Sequence, residues 1–254
     1  ATRSRAARLK LISSSMQIAP CGPMTSLPTC RALMTWPSVI SSAFLLALFI
    51  VSLGSWRAVQ ADAEHPLLVL GDSLSAGYGI ALADAWPSLL NARLAQEGYP
   101  YRVVNASISG ETSAGGARRI AALLADHKPR IVMIALGAND GLRGFKPAEV
   151  RKNLQTIVTA VLAAHAVPVL LQVRVPPNYG PQYAASFEAV YGEFFARDDV
   201  IPGPFLLDGF AADPSTFQAD GLHPLATVQP RIVTTLWPAV ASAMGVVKQR
   251  KENP

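Results

Sequence analysis

Two short stretches far apart in the chain hold residue types that could do covalent chemistry together: "GDSLS" (71–75) and "DGLHP" (220–224). In the second, Asp220 precedes His223 by three residues, a spacing that lets a carboxylate accept from one imidazole nitrogen within a tight loop. The other nitrogen is then free to take a proton from a nucleophile. Ser73 is the candidate nucleophile, because it follows an apolar run by two residues, in a glycine-bounded turn that also starts a helix. A hydroxyl there feels the positive end of the helix dipole. On this segment alone the same hydroxyl reads equally well as a helix N-cap. Ser75 is a weaker competitor, since it lies a turn further from the strand end. Taken alone, Asp220 and His223 also have a plain reading as loop residues.

A serine nucleophile needs donors for the oxyanion it creates, and two residues offer them. Asn139 ends an apolar run in "LGAND", where its amide could point across the strand ends. Gly110 in "SISGET" allows close backbone approach and offers an N–H. Both are also ordinary turn residues. With the Ser73 N–H they could converge on one oxygen, and such donors are worth about 2.7–4 kcal/mol each where measured. The remaining histidines, His65, His127 and His165, fall at strand entries or a helix end, on the opposite edge from the serine.

These residues must be positioned by the elements between them. The chain alternates apolar runs of strand length (66–71, 101–105, 130–137, 167–175 and a proline-interrupted 200–207) with helical patterns at 85–98, 113–127, 147–165, 182–198 and 224–245. Such alternation implies one α/β domain, a mainly parallel sheet with helices on both faces. Ligands of these sheets bind at the carboxyl ends of the strands. The loops that matter are therefore those leaving strands: "GDSLSAGYG", "NASISGET", "GANDGLRGF" and "VPPNYGPQY", joined by "FQADGLHP".

Composition sets further bounds. The chain has 254 residues and a formal charge of +5, but residues 1–63 hold six of the 22 Lys/Arg and one of the 17 Asp/Glu. The rest is neutral, which removes a nucleic-acid reading based on charge. Basic residues precede the apolar run at 39–54, which is shorter than the roughly 20 residues that span a bilayer. Ala61 and Ala63 then make an A-x-A cleavage pattern. We therefore expect a leader at 1–63 with cleavage near Ala63, a catalytic domain at 64–247 and a frayed tail at 248–254. Met24 or Met34 could serve as the start. The expected location is periplasmic or secreted, with an uncleaved leader as the one route to membrane contact that this pattern offers. Cys21 and Cys30 lie in the leader, so the mature domain would have no disulfide, cysteine-bound zinc or thiol nucleophile.

From Leu67 to about Ala241 the chain resembles the SGNH (GDSL-type) hydrolases, most of all their multifunctional thioesterase, lysophospholipase and arylesterase members. The resemblance rests on "GDSLSAGYG", "NASISG", "NDGLRGF", "PNYG" and "DGLHP". It implies a single-domain, three-layer α/β/α fold with a flavodoxin-like five-stranded sheet in order 2-1-3-4-5. It implies Ser73 as nucleophile, His223 as base and Asp220 as its partner, with oxyanion donors from Ser73, Gly110 and Asn139. No cofactor or metal is implied, and the expected substrates are small acyl esters, thioesters and lysophospholipids, handled by a monomer that meets membrane only through lipid-like substrates or an uncleaved leader. Val175 and Pro177 depart from the commoner Leu-Pro-Ala form, which bears on acyl preference. Asp72, Leu142, Phe145, Val175, Pro176 and Tyr179 are the candidate substrate contacts. A G-x-S-x-G elbow is absent because Ser75 stands where glycine is needed, and the loop lacks a P-loop lysine. The alternatives are a carbohydrate O-deacetylase of the same fold and a non-catalytic envelope binding protein.

Overall fold

The computed structural model describes residues 64–252. The expected leader, with the apolar run at 39–54 and the expected cleavage site near Ala63, lies outside the described residues. Strands β1 (His65–Gly71), β2 (Tyr101–Asn105), β3 (Ile131–Ala135), β4 (Val167–Leu171) and β5 (Ile201–Gly203) form one sheet. The order is β2-β1-β3-β4-β5, and every neighbouring pair is parallel. This is the expected architecture.

The sheet is buried on both faces, and its side chains sort by alternation. Leu67 and Val69 of β1, Ile131 and Met133 of β3, and Val167 and Val169 of β4 point to one core. Leu68 and Leu70, Val132 and Ile134, and Leu170 point to the other. Helices α2 (Trp86–Gln96) and α7 (Gln229–Glu252) cover the first face with Trp86, Leu90, Leu94, Ile232, Leu236 and Val240. Helices α3 (Ser113–His127), α5 (Pro147–Ala163) and α6 (Pro181–Phe195) cover the second. Each fully buried Leu, Ile or Val contributes about 1.5–3 kcal/mol. Continuous apolar runs in β1 and β3 are what a strand covered on both faces requires.

Several elements differ from expectation. Strand β4 ends at Leu171, and β5 has only three residues, Ile201–Gly203. Pro202 and Pro204 limit ladder donors there, and Gln172 N–H makes the last bond, to Gly203 O. Past it, Val173 and Val175 leave the sheet. A short helix, α4 (Ala138–Leu142), follows two residues after β3, where the sequence pattern predicts only a loop. Finally, α7 starts at Gln229 and runs to Glu252, so residues 248–252 are helical and not a frayed tail. Val246 and Val247 pack on the core, and Arg250 and Lys251 suit a helix C-terminus.

Candidate active site

The turn after β1 is a four-residue helix, α1 (Ser73–Ala76), and its cap settles what the Ser73 hydroxyl is free to do. Asp72 is the N-cap: its Oδ1 accepts from Leu74 N–H at 3.0 Å. Gly77 closes the other end in the left-handed region. Ser73 therefore carries no capping duty, and its Oγ lies 2.8 Å from His223 Nε2. The imidazole's Nδ1 lies 2.7 Å from Asp220 Oδ2. Asp220 Oδ1 accepts two backbone N–H groups, from Leu222 at 2.9 Å and His223 at 3.0 Å. The carboxylate thus fixes both the loop and the tautomer: Nδ1–H donates to Asp220, and Nε2 accepts from the serine hydroxyl.

Charge follows from these contacts. The His223 N–H, its ring and the Leu222 N–H together hold the Asp220 carboxyl down at about 2. It is therefore ionised wherever the protein is folded and working. Asp72 is the opposite case. Burial pushes its carboxyl up to about 6, against the pull of Leu74 N–H and His223.

Neighbours hold the imidazole in place. The Tyr78 ring lies 4.4 Å from it, tilted by 36°. Gln218 ties the loops together, its N–H donating to His223 O at 2.8 Å and its Nε2 to Tyr78 O at 2.8 Å. Neither residue was singled out in the sequence, although Gln218 stands two positions before Asp220.

Asn139 sits on α4 with its Nδ2 donating to Glu111 O at 3.1 Å, and 3.5 Å from Asp72 Oδ2. Gly110 has φ +79°, a conformation that its lack of a Cβ makes cheap. Its carbonyl accepts from Arg143 at 3.2 Å. Among the described residues, neither the Ser73 N–H nor the Gly110 N–H donates to a protein acceptor. Both are available to a ligand.

A cavity of about 490 Å³ opens beside the serine, with Ser73, Asn139 and His223 on its wall. The rest of the wall is mainly apolar and includes Leu142, Leu171, Val173, Val175, Leu206 and Phe217. Of the candidate substrate contacts, Asp72, Leu142, Val175 and Pro176 line it. Phe145 and Tyr179 do not: both are 38% exposed, and the Tyr179 hydroxyl donates to Leu142 O. Asp72 borders the cavity but is 2% exposed, its carboxylate engaged with Leu74 and the Asn139 amide. Asp72 thus holds the turn from its place on the cavity wall. The wall from Leu206 to Phe217 is not legible in the sequence: Leu206 falls in the run 200–207 that reads as a strand, and the segment follows a three-residue strand as turns and a short 3₁₀ helix at Pro214–Thr216. His65, His127 and His165 stand at the entering edge of the sheet, away from this site.

The GDSL-like Lipase/Acylhydrolase family model matches residues 69–229. Over 181 residues the chain is 48% identical to Esterase TesA of Pseudomonas aeruginosa, a match covering 71% of this chain and 90% of that protein. Over 185 residues it is 46% identical to Thioesterase 1/protease 1/lysophospholipase L1 of Escherichia coli K12, covering 73% and 86%. Among solved structures, a psychrotrophic esterase EstA from Pseudoalteromonas sp., inhibited by monoethylphosphonate, is 36% identical with a TM-score of 0.68. That match covers 71% of this chain and 99% of the esterase.

Proposed function

The chain belongs to the GDSL-like lipase/acylhydrolase family and is an enzyme that hydrolyses carboxylic esters and thioesters, and we propose that it does so through Ser73, His223 and Asp220. The observation that carries this reading is the unbroken hydrogen-bond chain from Ser73 Oγ to His223 to Asp220 at the cavity wall. His223 takes the Ser73 proton as Oγ attacks the acyl carbonyl. The negative oxygen settles among Ser73 N–H, Gly110 N–H and the Asn139 amide. His223 then protonates the departing alcohol or thiol, and water repeats the sequence on the acyl-enzyme. Asp220 stays ionised throughout and steadies the imidazolium.

The apolar wall favours substrates with an acyl chain over acetylated carbohydrates, whose hydroxyls would find few partners along Leu171, Val173, Val175 and Phe217. Lysophospholipids and simple acyl esters fit this chemistry. The leader pattern at 1–63 supports export, where coenzyme A thioesters are absent, so esters are the natural substrates of the exported form.

The test is a panel of p-nitrophenyl esters and acyl thioesters of graded chain length, assayed with wild type and Ser73→Ala. We expect kcat/KM to rise as the acyl chain lengthens from acetyl until the cavity is filled. Ser73→Ala should lower it by at least about 10⁴-fold. Preference for acetyl over every longer chain would overturn the cavity's assigned role, and full turnover by Ser73→Ala would overturn the mechanism.

A further inference from the structure

The geometry points to Asp140 as a positioning residue for the oxyanion donors, an inference that rests on the assignment of Gly110 and Asn139 to that role. Asp140 is an acidic side chain only 1% exposed, and it does not line the cavity. Both its oxygens are committed to one residue. Oδ2 accepts from Ser113 N–H at 2.8 Å, and Oδ1 accepts from the Ser113 hydroxyl at 2.6 Å. Ser113 is itself fully buried, and its Oγ accepts from Asn153 Nδ2 at 2.9 Å. Three helices, α3, α4 and α5, meet through this group.

What the cluster connects gives it a role in the reaction. Asp140 is the residue after Asn139, on a helix of five residues. Ser113 opens α3 three residues after Gly110. One buried carboxylate therefore ties together the two turns that carry the two donors. Charge-assisted bonds of this kind are short and strong where water is excluded. Oxyanion donors act only if they are aimed before the charge develops, and misplacement by about 1 Å can cost a hundredfold. Neither Asp140 nor Ser113 need touch the substrate to matter. Burying a carboxylate is expensive unless its partners are in place, and here both of its oxygens have them.

Asp140→Asn preserves the shape but spoils the pairing. If the amide oxygen keeps the Ser113 N–H, its NH₂ faces a hydroxyl that already accepts from Asn153, and the hydroxyl hydrogen loses its acceptor. Ser113→Ala removes the hydroxyl while leaving the backbone N–H on the carboxylate, so it is the milder probe of the same tie. Steady-state kinetics on a p-nitrophenyl ester should be measured for Asp140→Asn, Ser113→Ala, Asn139→Ala and the Asp140→Asn/Asn139→Ala double variant. We expect Asp140→Asn to lower kcat by about tenfold to a hundredfold with KM within about threefold. Ser113→Ala should act in the same direction by a smaller factor. In the Asn139→Ala background the added loss from Asp140→Asn should shrink clearly, because the donor that it helps to aim is already gone. Unchanged kcat in both single variants would overturn the inference, as would an equal loss with and without Asn139. If Asn139→Ala itself keeps full kcat, the donor assignment fails first and takes this inference with it.

Discussion

Asp72 and Asp220 stand on either side of the same serine and imidazole, yet their surroundings drive them apart. Asp220 takes two backbone N–H groups and the imidazole, which hold its carboxyl at about 2. Asp72 is 2% exposed, and burial lifts it to about 6 from an ordinary value of 3.8. Between those two values the folded protein holds more protons than the unfolded chain. Stability contributed by this group is therefore complete below 3.8 and lost as pH rises toward about 6. The span amounts to up to about 3 kcal/mol. Asp72→Asn cannot titrate, so its stability relative to wild type should improve by about 1–3 kcal/mol between about pH 4 and about pH 7.5 in urea unfolding. A constant difference across that interval would contradict the buried, proton-binding Asp72. At this scale the sequence showed the chemistry better than its support. Ser73, His223 and Asp220 stood out by type and spacing. Asp72 did not reveal that it would take the cap from Ser73. Asp140 is not marked out by the sequence at all, because its burial depends on Ser113 and Asn153, which the local sequence does not bring near it.

Strands and helices place those residues, and the most demanding junction is the one from β3 into α4. Gly137 has φ +118°, and a Cβ there would stand 2.0 Å from Tyr191 Oη. That hydroxyl donates to Leu136 O at 2.8 Å inside the core, so it cannot move without leaving a buried carbonyl unpaired. Gly137→Ala should therefore destabilise the domain by at least about 2 kcal/mol. Because the junction aims Asn139, kcat should fall even well below the melting temperature. A neutral effect on both would show that the turn is softer than its packing implies. The strands were legible because a continuous apolar run admits few other readings, and β2 begins and ends where its pattern does. Boundaries failed where local pattern and tertiary pairing disagree. The apolar residues of "VPVLLQVRV" continue past Leu171, but β5 is too short to pair with them, so they turn to line the cavity. The last residues were expected to fray as a chain terminus does, while Val246 and Val247 keep the helix on the core.

Over the whole molecule, the site exists only because the sheet order brings distant segments to one edge. Ser73 follows β1 at the sheet's centre-left, Asn139 follows its neighbour β3, and His223 arrives after all five strands. The β-α alternation in the sequence implied a parallel sheet and its ligand edge, but the order β2-β1-β3-β4-β5 came from the family resemblance, since alternation alone allows several orders. The cavity wall was the least legible part, because it combines strand ends with turns and a short 3₁₀ helix from Phe205 to Phe217 whose placement depends on the complete fold. The central claim is that Ser73 is activated by an imidazole 150 residues away. The most direct measurement is the rate and site of reaction with a serine-directed alkyl phosphonate, read by mass spectrometry of the digested protein. A single adduct on the peptide containing Ser73 is predicted, absent in Ser73→Ala and formed at least about a hundredfold more slowly in His223→Ala. An adduct on any other serine, or labelling of Ser73 at an unchanged rate without His223, would contradict the account.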